Sequence, residues 1–127
     1  MQNNKLNSLH VIKFQEVLIQ RTGGLAGIKD KSLVESSQES PFQTWDGKDL
    51  YPSPLKKIVR VGYNLIRNHG FVDGNKRIGM HAMLILLEVN HMGIEFTDDD
   101  IIYMGMNVAS GELSYEELLE FVVSRNR

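Results

Sequence analysis

The sequence contains no cysteine and only three prolines among its 127 residues. The absence of cysteine excludes disulfides, thiol nucleophiles and Cys-ligated zinc, and it fits a reducing compartment. The longest apolar run, residues 82–87, is far shorter than the roughly 20 residues that a membrane-spanning helix needs. Residues 1–15 also lack the apolar core of a secretory signal. We therefore expect a cytoplasmic protein with no membrane partner.

A strong charge of either sign is missing as well. Fourteen Lys and Arg residues stand against sixteen Asp and Glu residues, so the net charge is -2. A chain with this balance has no global basic field to attract nucleic acid, and we expect no direct nucleic-acid partner. The composition, with 42% hydrophobic and 24% charged residues, is that of an ordinary globular protein. The length fits a single domain over residues 1–127.

Helical spacing and capping residues divide the first half of the chain. The pattern predicts a first helix over residues 8–21 and a short second helix capped by Asp30. Ser53 followed by Pro54 is typical of a helix start, and this third helix is expected to end near Asn68. The amino-terminal half therefore contributes three helices.

A β-hairpin is predicted between the second and third helices. Residues 42–53 alternate apolar and polar positions around Asp46 and Gly47, and an Asp-Gly pair is a strong signal for a tight hairpin turn. We expect a small β-flap there.

The carboxyl-terminal half is predicted to hold three more helices. Residues 78–89 are apolar nearly all round, which is typical of a central helix buried on every side. Thr97 with Asp100, and Ser114 with Glu117, form capping boxes that open the last two helices. The expected fold is all-α, a compact bundle of about six helices around a buried central helix. The methionines are expected to fill its core.

Nine residues between the third and central helices, HGFVDGNKR at 69–77, carry an unusual density of chemical groups. At the amino terminus of the central helix, the backbone N–H groups of Gly74, Asn75 and Lys76 point outward, where the helix dipole favours a phosphate. Lys76 and Arg77 add positive charge. Cations in the first turn of a helix oppose its dipole, and a bound anion would offset that cost.

Asp73 and His69 complete a candidate site for transfer to a hydroxyl. A carboxylate beside a polyphosphate is a suitable ligand for Mg²⁺. A histidine with a pKa of about 6.5 can take the proton of an attacking hydroxyl near neutral pH. Taken singly, each residue has an ordinary interpretation as a turn or surface residue, and only their joint order indicates phosphoryl or nucleotidyl transfer. The glycine spacing, and the absence of Ser or Thr after Lys76, exclude a P-loop.

This segment resembles the motif of the Fic/Doc superfamily, His-x-Phe-x-Asp/Glu-Gly/Ala-Asn-Gly/Lys-Arg. Lys76 stands where Fic enzymes have glycine, so the Doc branch, the death-on-curing toxins of type II toxin–antitoxin modules, is the nearer match. Residues 21–30, 90–96 and 108–121 also resemble Doc toxins. The likeness therefore covers nearly the whole chain and implies a single domain with the Fic/Doc fold.

The resemblance also implies a role for each residue of the motif. His69 would be the catalytic base and Asp73 the Mg²⁺ ligand. A further set of residues would bind the phosphates of ATP: Gly74 through its backbone, Asn75, Lys76, Arg77, and Arg67 as a phosphate or target contact.

By the same resemblance, the chain is expected to be a protein kinase. Doc-type enzymes transfer the ATP γ-phosphate to a threonine of elongation factor Tu, which arrests translation, and a separate antitoxin holds them inactive. Met80 replaces the second arginine of Fic adenylyltransferases, and no Glu is followed by Gly or Asn as in their inhibitory helix. The alternatives are a Fic-type AMP transferase and a catalytically inactive binding module, which the intact His69 disfavours.

Overall fold

The computed structural model describes residues 29–42, 44–45, 47–49, 53–68 and 74–126. This part of the chain is mostly helical, which confirms the expected all-α class. It contains five helices: α1 (Lys31–Glu39), α2 (Pro54–Asn68), α3 (Asn75–Val89), α4 (Asp98–Ser110) and α5 (Tyr115–Ser124). The helix predicted over residues 8–21 lies outside the described residues. None of the described helices has both the length and the apolarity to cross a membrane.

Four of the five described helices begin at the predicted caps. The Asp30 carboxylate accepts the N–H of Leu33 (3.2 Å), and the Ser53 hydroxyl accepts the N–H of Lys56 (3.1 Å). Both predicted capping boxes are present at the starts of α4 and α5. Because such caps are contacts between residues three apart, the sequence pattern alone was enough to place them.

The predicted hairpin is also present. After a 3₁₀ turn (Ser40–Phe42), strands β1 (Thr44–Trp45) and β2 (Lys48–Asp49) pair antiparallel, with Thr44 opposite Asp49 and Trp45 opposite Lys48. Gly47 in the connecting turn has a φ of 76°, a conformation that glycine adopts without steric cost.

Helix α3 contributes large side chains to the core, but it is neither the central helix of the described part nor buried on every side. Among the described helices, α2 packs against all four others, whereas α3 packs mainly against α2 and α4. The largest fully buried side chains come from four of the helices and from Val34 of α1: Ile58, Ile66, Ile78, Met83, Leu86, Met104 and Leu118. On one face of α3, however, His81 and Glu88 are exposed, and Leu84 and Ile85 between them are half-buried. These positions recur every three or four residues and so share a face. The expectation of complete burial is wrong along this strip.

Helices α2 and α3 cross closely at two glycines, Gly62 and Gly79. A Cβ built on Gly79 would lie 2.5 Å from Cγ1 of Ile66 and 2.9 Å from the carbonyl oxygen of Gly62. A Cβ built on Gly62 would lie 3.0 Å from Cβ of Met83. The two backbones are therefore in contact, which fixes the end of α2 relative to the start of α3.

An ion pair joins the start of α4 to the end of α5. Nη2 and Nε of Arg125 donate to the two carboxylate oxygens of Asp100, at 3.0 and 3.1 Å. The Arg125 guanidinium also lies 4.4 Å from the ring centroid of Phe121. The hydrogen bonds from Arg125, followed by the one from the backbone N–H of Thr97, lower the pKa of the Asp100 carboxyl.

We expect Gly79→Ala to destabilise the protein, although alanine ordinarily favours a helix by up to about 1 kcal/mol. The added methyl would overlap Ile66 and the backbone of α2, and overpacking of this kind costs about 1–3 kcal/mol. Gly105→Ala is the matched control, because its Cβ would lie 3.4 Å from the nearest atom, Cγ of Met80. Urea denaturation should show a loss for the first variant and no loss for the second. Equal stability of the two variants would contradict the close crossing.

A second prediction concerns pH. Because the pKa of Asp100 is lowered in the folded state, the pair with Arg125 stabilises the protein at neutral pH. That contribution is present above the unfolded pKa of about 3.9 and is lost as pH falls through the lower folded value. The difference in unfolding free energy between wild type and Arg125→Met should therefore be constant from pH 7 to about 5 and shrink below about 4. A difference that does not change down to acid pH would contradict this role for the pair.

Candidate phosphate-binding site

Helix α3 begins without a side-chain cap. Its N-cap residue is Gly74, in the left-handed conformation (φ 80°, ψ 13°), and no side chain caps the helix end. The Ile78 N–H donates to the Gly74 carbonyl (2.8 Å), so the helix is fully formed from its first turn. The N–H groups of residues 75–77 precede the first residue that can bond within the helix, so they lie at its positive end.

Two adjacent cations lie in this first turn. Lys76 and Arg77 are both exposed, and the first turn contains no acidic residue. Within the part of the chain that the structure describes, neither cation has an ion-pair partner. Their charge adds to that of the helix dipole instead of neutralising it, which makes this end of α3 a favourable place for an anion.

Helix α4 packs against the same end of α3. A Cβ built on Gly105 of α4 would lie 3.4 Å from Cγ of Met80 and 4.0 Å from Cβ of Lys76. These are ordinary van der Waals distances, so α4 lies beside the start of α3 with room for a methyl group at Gly105. The outer surface of α4 carries exposed apolar side chains, with Ile102 at 56% and Met106 at 57% exposure. The expectation that the methionines fill the core is wrong for Met106.

The structure brings four of the predicted site residues together at this helix end: Gly74, Asn75, Lys76 and Arg77. His69 and Asp73 lie outside the described residues, so their roles as base and metal ligand remain predictions. Among the residues that the structure describes, no group of three or more His, Asp or Glu side chains could hold a metal ion. Mg²⁺ bound to phosphate oxygens needs only one or two carboxylates, which a single aspartate can provide.

Arg67, the remaining candidate, lies in the last turn of α2. Its Nη1 donates to the carbonyl oxygens of Val108 and Ala109 at the end of α4, at 3.3 Å each. Sequence reasoning missed this contact, because its partners are 41 and 42 residues away in the chain. The only local signal was the Ser110-Gly111 pair that ends α4.

The motif and its neighbouring helices match one known family. The model of the Fic/DOC family matches residues 5–87, about two-thirds of the chain and including the whole motif. This chain belongs to the Fic/DOC family. A curated relative, Toxin Doc of Mycolicibacterium smegmatis (strain ATCC 700084 / mc(2)155), is 34% identical over 77 residues. The aligned stretch covers 61% of this chain and 58% of that relative. The family resemblance stated from the motif is thus confirmed, and this relative's name agrees with the Doc branch.

The first turn of α3 generates a binding prediction for this Fic/DOC protein. Lys76→Met and Arg77→Met should each weaken binding of Mg²⁺-ATP about 10-fold, because each removes a charge-assisted hydrogen bond to phosphate. Isothermal titration calorimetry measures the Kd directly. Lys56→Met is the matched control, since it removes one exposed cation from the opposite end of α2. Equal Kd values for all three variants would contradict phosphate binding at α3.

Proposed function

We propose that this chain is a Doc-like toxin: a Mg²⁺-dependent protein kinase that transfers the ATP γ-phosphate to a hydroxyl of elongation factor Tu and so arrests translation. Family membership supports a transferase, and the relative named Toxin Doc supports the toxin branch. The observation that carries the proposal is the first turn of α3, where a left-handed glycine and two exposed cations give a positive helix end.

In this proposal the first turn of α3 binds and orients the phosphates. Asn75, Lys76 and the backbone N–H groups hold the phosphate oxygens, and Arg77 adds a planar, permanently charged donor. Negative charge is spread over these oxygens in the transition state of phosphoryl transfer, so donors fixed beforehand lower the barrier. The rigidity of α3, packed against α2 and α4, keeps those donors in place.

His69 supplies the base. An imidazole nitrogen accepts the proton of the target hydroxyl as its oxygen bonds to phosphorus, and ADP leaves. Bound Mg²⁺, with Asp73 as its protein ligand, would neutralise part of the phosphate charge. The protonated imidazole then returns its proton to solvent, which restores the base for the next turnover.

Two residues favour γ-phosphate transfer over AMP transfer. Lys76 places a long cationic side chain where Fic enzymes have glycine. This side chain would crowd the usual binding position of the nucleotide and would offer a point charge to a terminal phosphate. Met80 occupies the position of their second arginine. Its side chain is 4% exposed and lies against Gly105 of α4, so this position provides no grip on a nucleotide.

The proposal includes an antitoxin that inhibits the enzyme in trans. The relative named Toxin Doc supports an antitoxin partner, and no Glu of the sequence is followed by Gly or Asn as in the inhibitory Fic motif. Helix α4 offers an apolar surface for such a partner: Ile102, Tyr103 and Met106 are exposed, and Gly105 of the same helix contacts the start of α3. An amphipathic helix is the kind of partner that binds an apolar helix face of this type.

Expression of the wild-type chain in a bacterium should arrest growth, and His69→Ala should relieve the arrest, since losing a general base slows transfer about 10²–10⁴-fold. With Mg²⁺-ATP and purified elongation factor Tu, the wild type should transfer label from [γ-³²P]ATP, and the variant should not. His91→Asn is the matched control, because His91 has a φ of 59°, a conformation that asparagine tolerates. Co-expression of the antitoxin should restore growth.

The same assay separates the alternatives. Label transferred from [α-³²P]ATP instead would identify an AMP transferase. Nucleotide binding without transfer of either label would identify an inactive binding module. Undiminished toxicity of a folded His69→Ala variant would contradict catalysis by this histidine.

A further inference from the structure

The last turn of α2 is hydrogen-bonded to α1 on one side. Nδ2 of Asn68 donates to the hydroxyl of Ser37 (2.8 Å), which donates in turn to the carbonyl of Leu33 (2.6 Å). One turn earlier, Nδ2 of Asn64 donates to the carbonyl of Ser37 and to the hydroxyl of Ser40, both at 3.3 Å. Ser37 is 1% exposed, so these bonds are shielded from competing water.

On its other side, the same turn is bonded to α4 through Arg67. Nη1 donates to the carbonyls of Val108 and Ala109, and a Cβ built on Gly111 would lie 3.5 Å from that nitrogen. The carboxyl end of a helix carries partial negative charge, so a guanidinium is a favourable partner there. Arg67 therefore joins the end of α2 to the end of α4.

Helix α4 also contacts the start of α3, where Gly105 lies against Lys76 and Met80. Residues 69–73, which lie outside the described residues, connect Asn68 to Gly74 in the sequence. Helix α2 precedes this segment and α3 follows it, and both helices contact α4. Packing and hydrogen bonds therefore fix the two ends of the segment relative to each other.

We propose that Arg67 and Asn68 are positioning residues for His69, and that neither contacts the nucleotide. The inference rests on the proposed function, in which His69 is the base. His69 is covalently joined to Asn68, with about 3.8 Å between Cα atoms of consecutive residues, so we expect a rotation of the last turn of α2 to displace it. A displacement of about 1 Å in a reacting group can lower the rate about 10²-fold.

Substitution of Ser37 tests the positioning role without altering a substrate contact, because a side chain buried between α1 and α2 cannot touch the substrate. Ser37→Ala and Asn68→Ala should each lower kcat about 10-fold and leave the KM for ATP unchanged, because both remove the same positioning bond. The double variant should be no slower than the slower single one. Ser124→Ala, which removes an exposed hydroxyl bonded to Phe121 and Arg125 at the end of α5, should leave kcat unchanged. Additive losses, or no loss at Ser37, would overturn the role of this bond.

For Arg67, the test is whether substitution changes kcat or the KM for ATP. As a positioning residue, Arg67→Met should lower kcat about 10-fold or more with the KM for ATP unchanged, and Arg67→Lys should restore part of the rate. A raised KM and an intact kcat would make Arg67 a phosphate contact and overturn its proposed role. Arg67 is exposed and Asn68 half-buried, so their variants decide the question even if Ser37→Ala does not fold.

An NMR measurement that does not depend on enzyme turnover tests this inference separately from the proposed function. If the wild type transfers neither phosphate nor AMP, the proposed function fails. The imidazole NMR signal of His69, assigned with His69→Asn, still reports its surroundings. Arg67→Met and Asn68→Ala should shift that signal or its titration midpoint and leave the signal of His91 unchanged. An unchanged His69 signal in the folded variants would overturn the positioning role.

Discussion

The backbone contact between Gly62 and Gly79 is the constraint on which the rest of the structure depends. With a Cβ at Gly79 only 2.5 Å from Ile66, the two helices could not cross at this distance. The crossing fixes the position of the end of α2 relative to the start of α3. The motif segment connects these two helix ends in the sequence. Glycine weakens a helix by about 1 kcal/mol, so two glycines within helices are tolerated for their packing and not for their propensity.

The positive charge at the start of α3 works against helix stability. Gly74 provides no side-chain cap, and Lys76 and Arg77 place positive charge where a helix prefers negative charge. In contrast, α4 and α5 begin with acidic residues and full capping boxes. Helix α2 also begins with two lysines in its first turn, but Ser53 caps it; α3, which carries the family motif, combines cations in its first turn with the absence of a side-chain cap. Such a local violation is expected at a site whose ligand supplies the missing charge.

The features that the sequence predicted correctly are those that depend on near neighbours. The caps at Asp30 and Ser53, both capping boxes and the hairpin turn at Gly47 involve residues at most three positions apart. The motif was recognised for the same reason, because its residues are contiguous. By contrast, the bonds from Arg67 to the end of α4 and the exposure of Met106 depend on how distant helices pack. Helical periodicity does not specify which neighbour covers a given face, so it also overestimated the burial of α3.

The central claim is that the first turn of α3 binds the phosphates of the substrate. The most direct measurement is a titration of ¹⁵N-labelled protein with Mg²⁺-ATP, followed by amide NMR. The account predicts that the largest saturable shifts occur at Asn75, Lys76 and Arg77, and that adenosine without phosphates does not produce them. Shifts confined to other elements, or none at these three amides at saturating nucleotide, would contradict it.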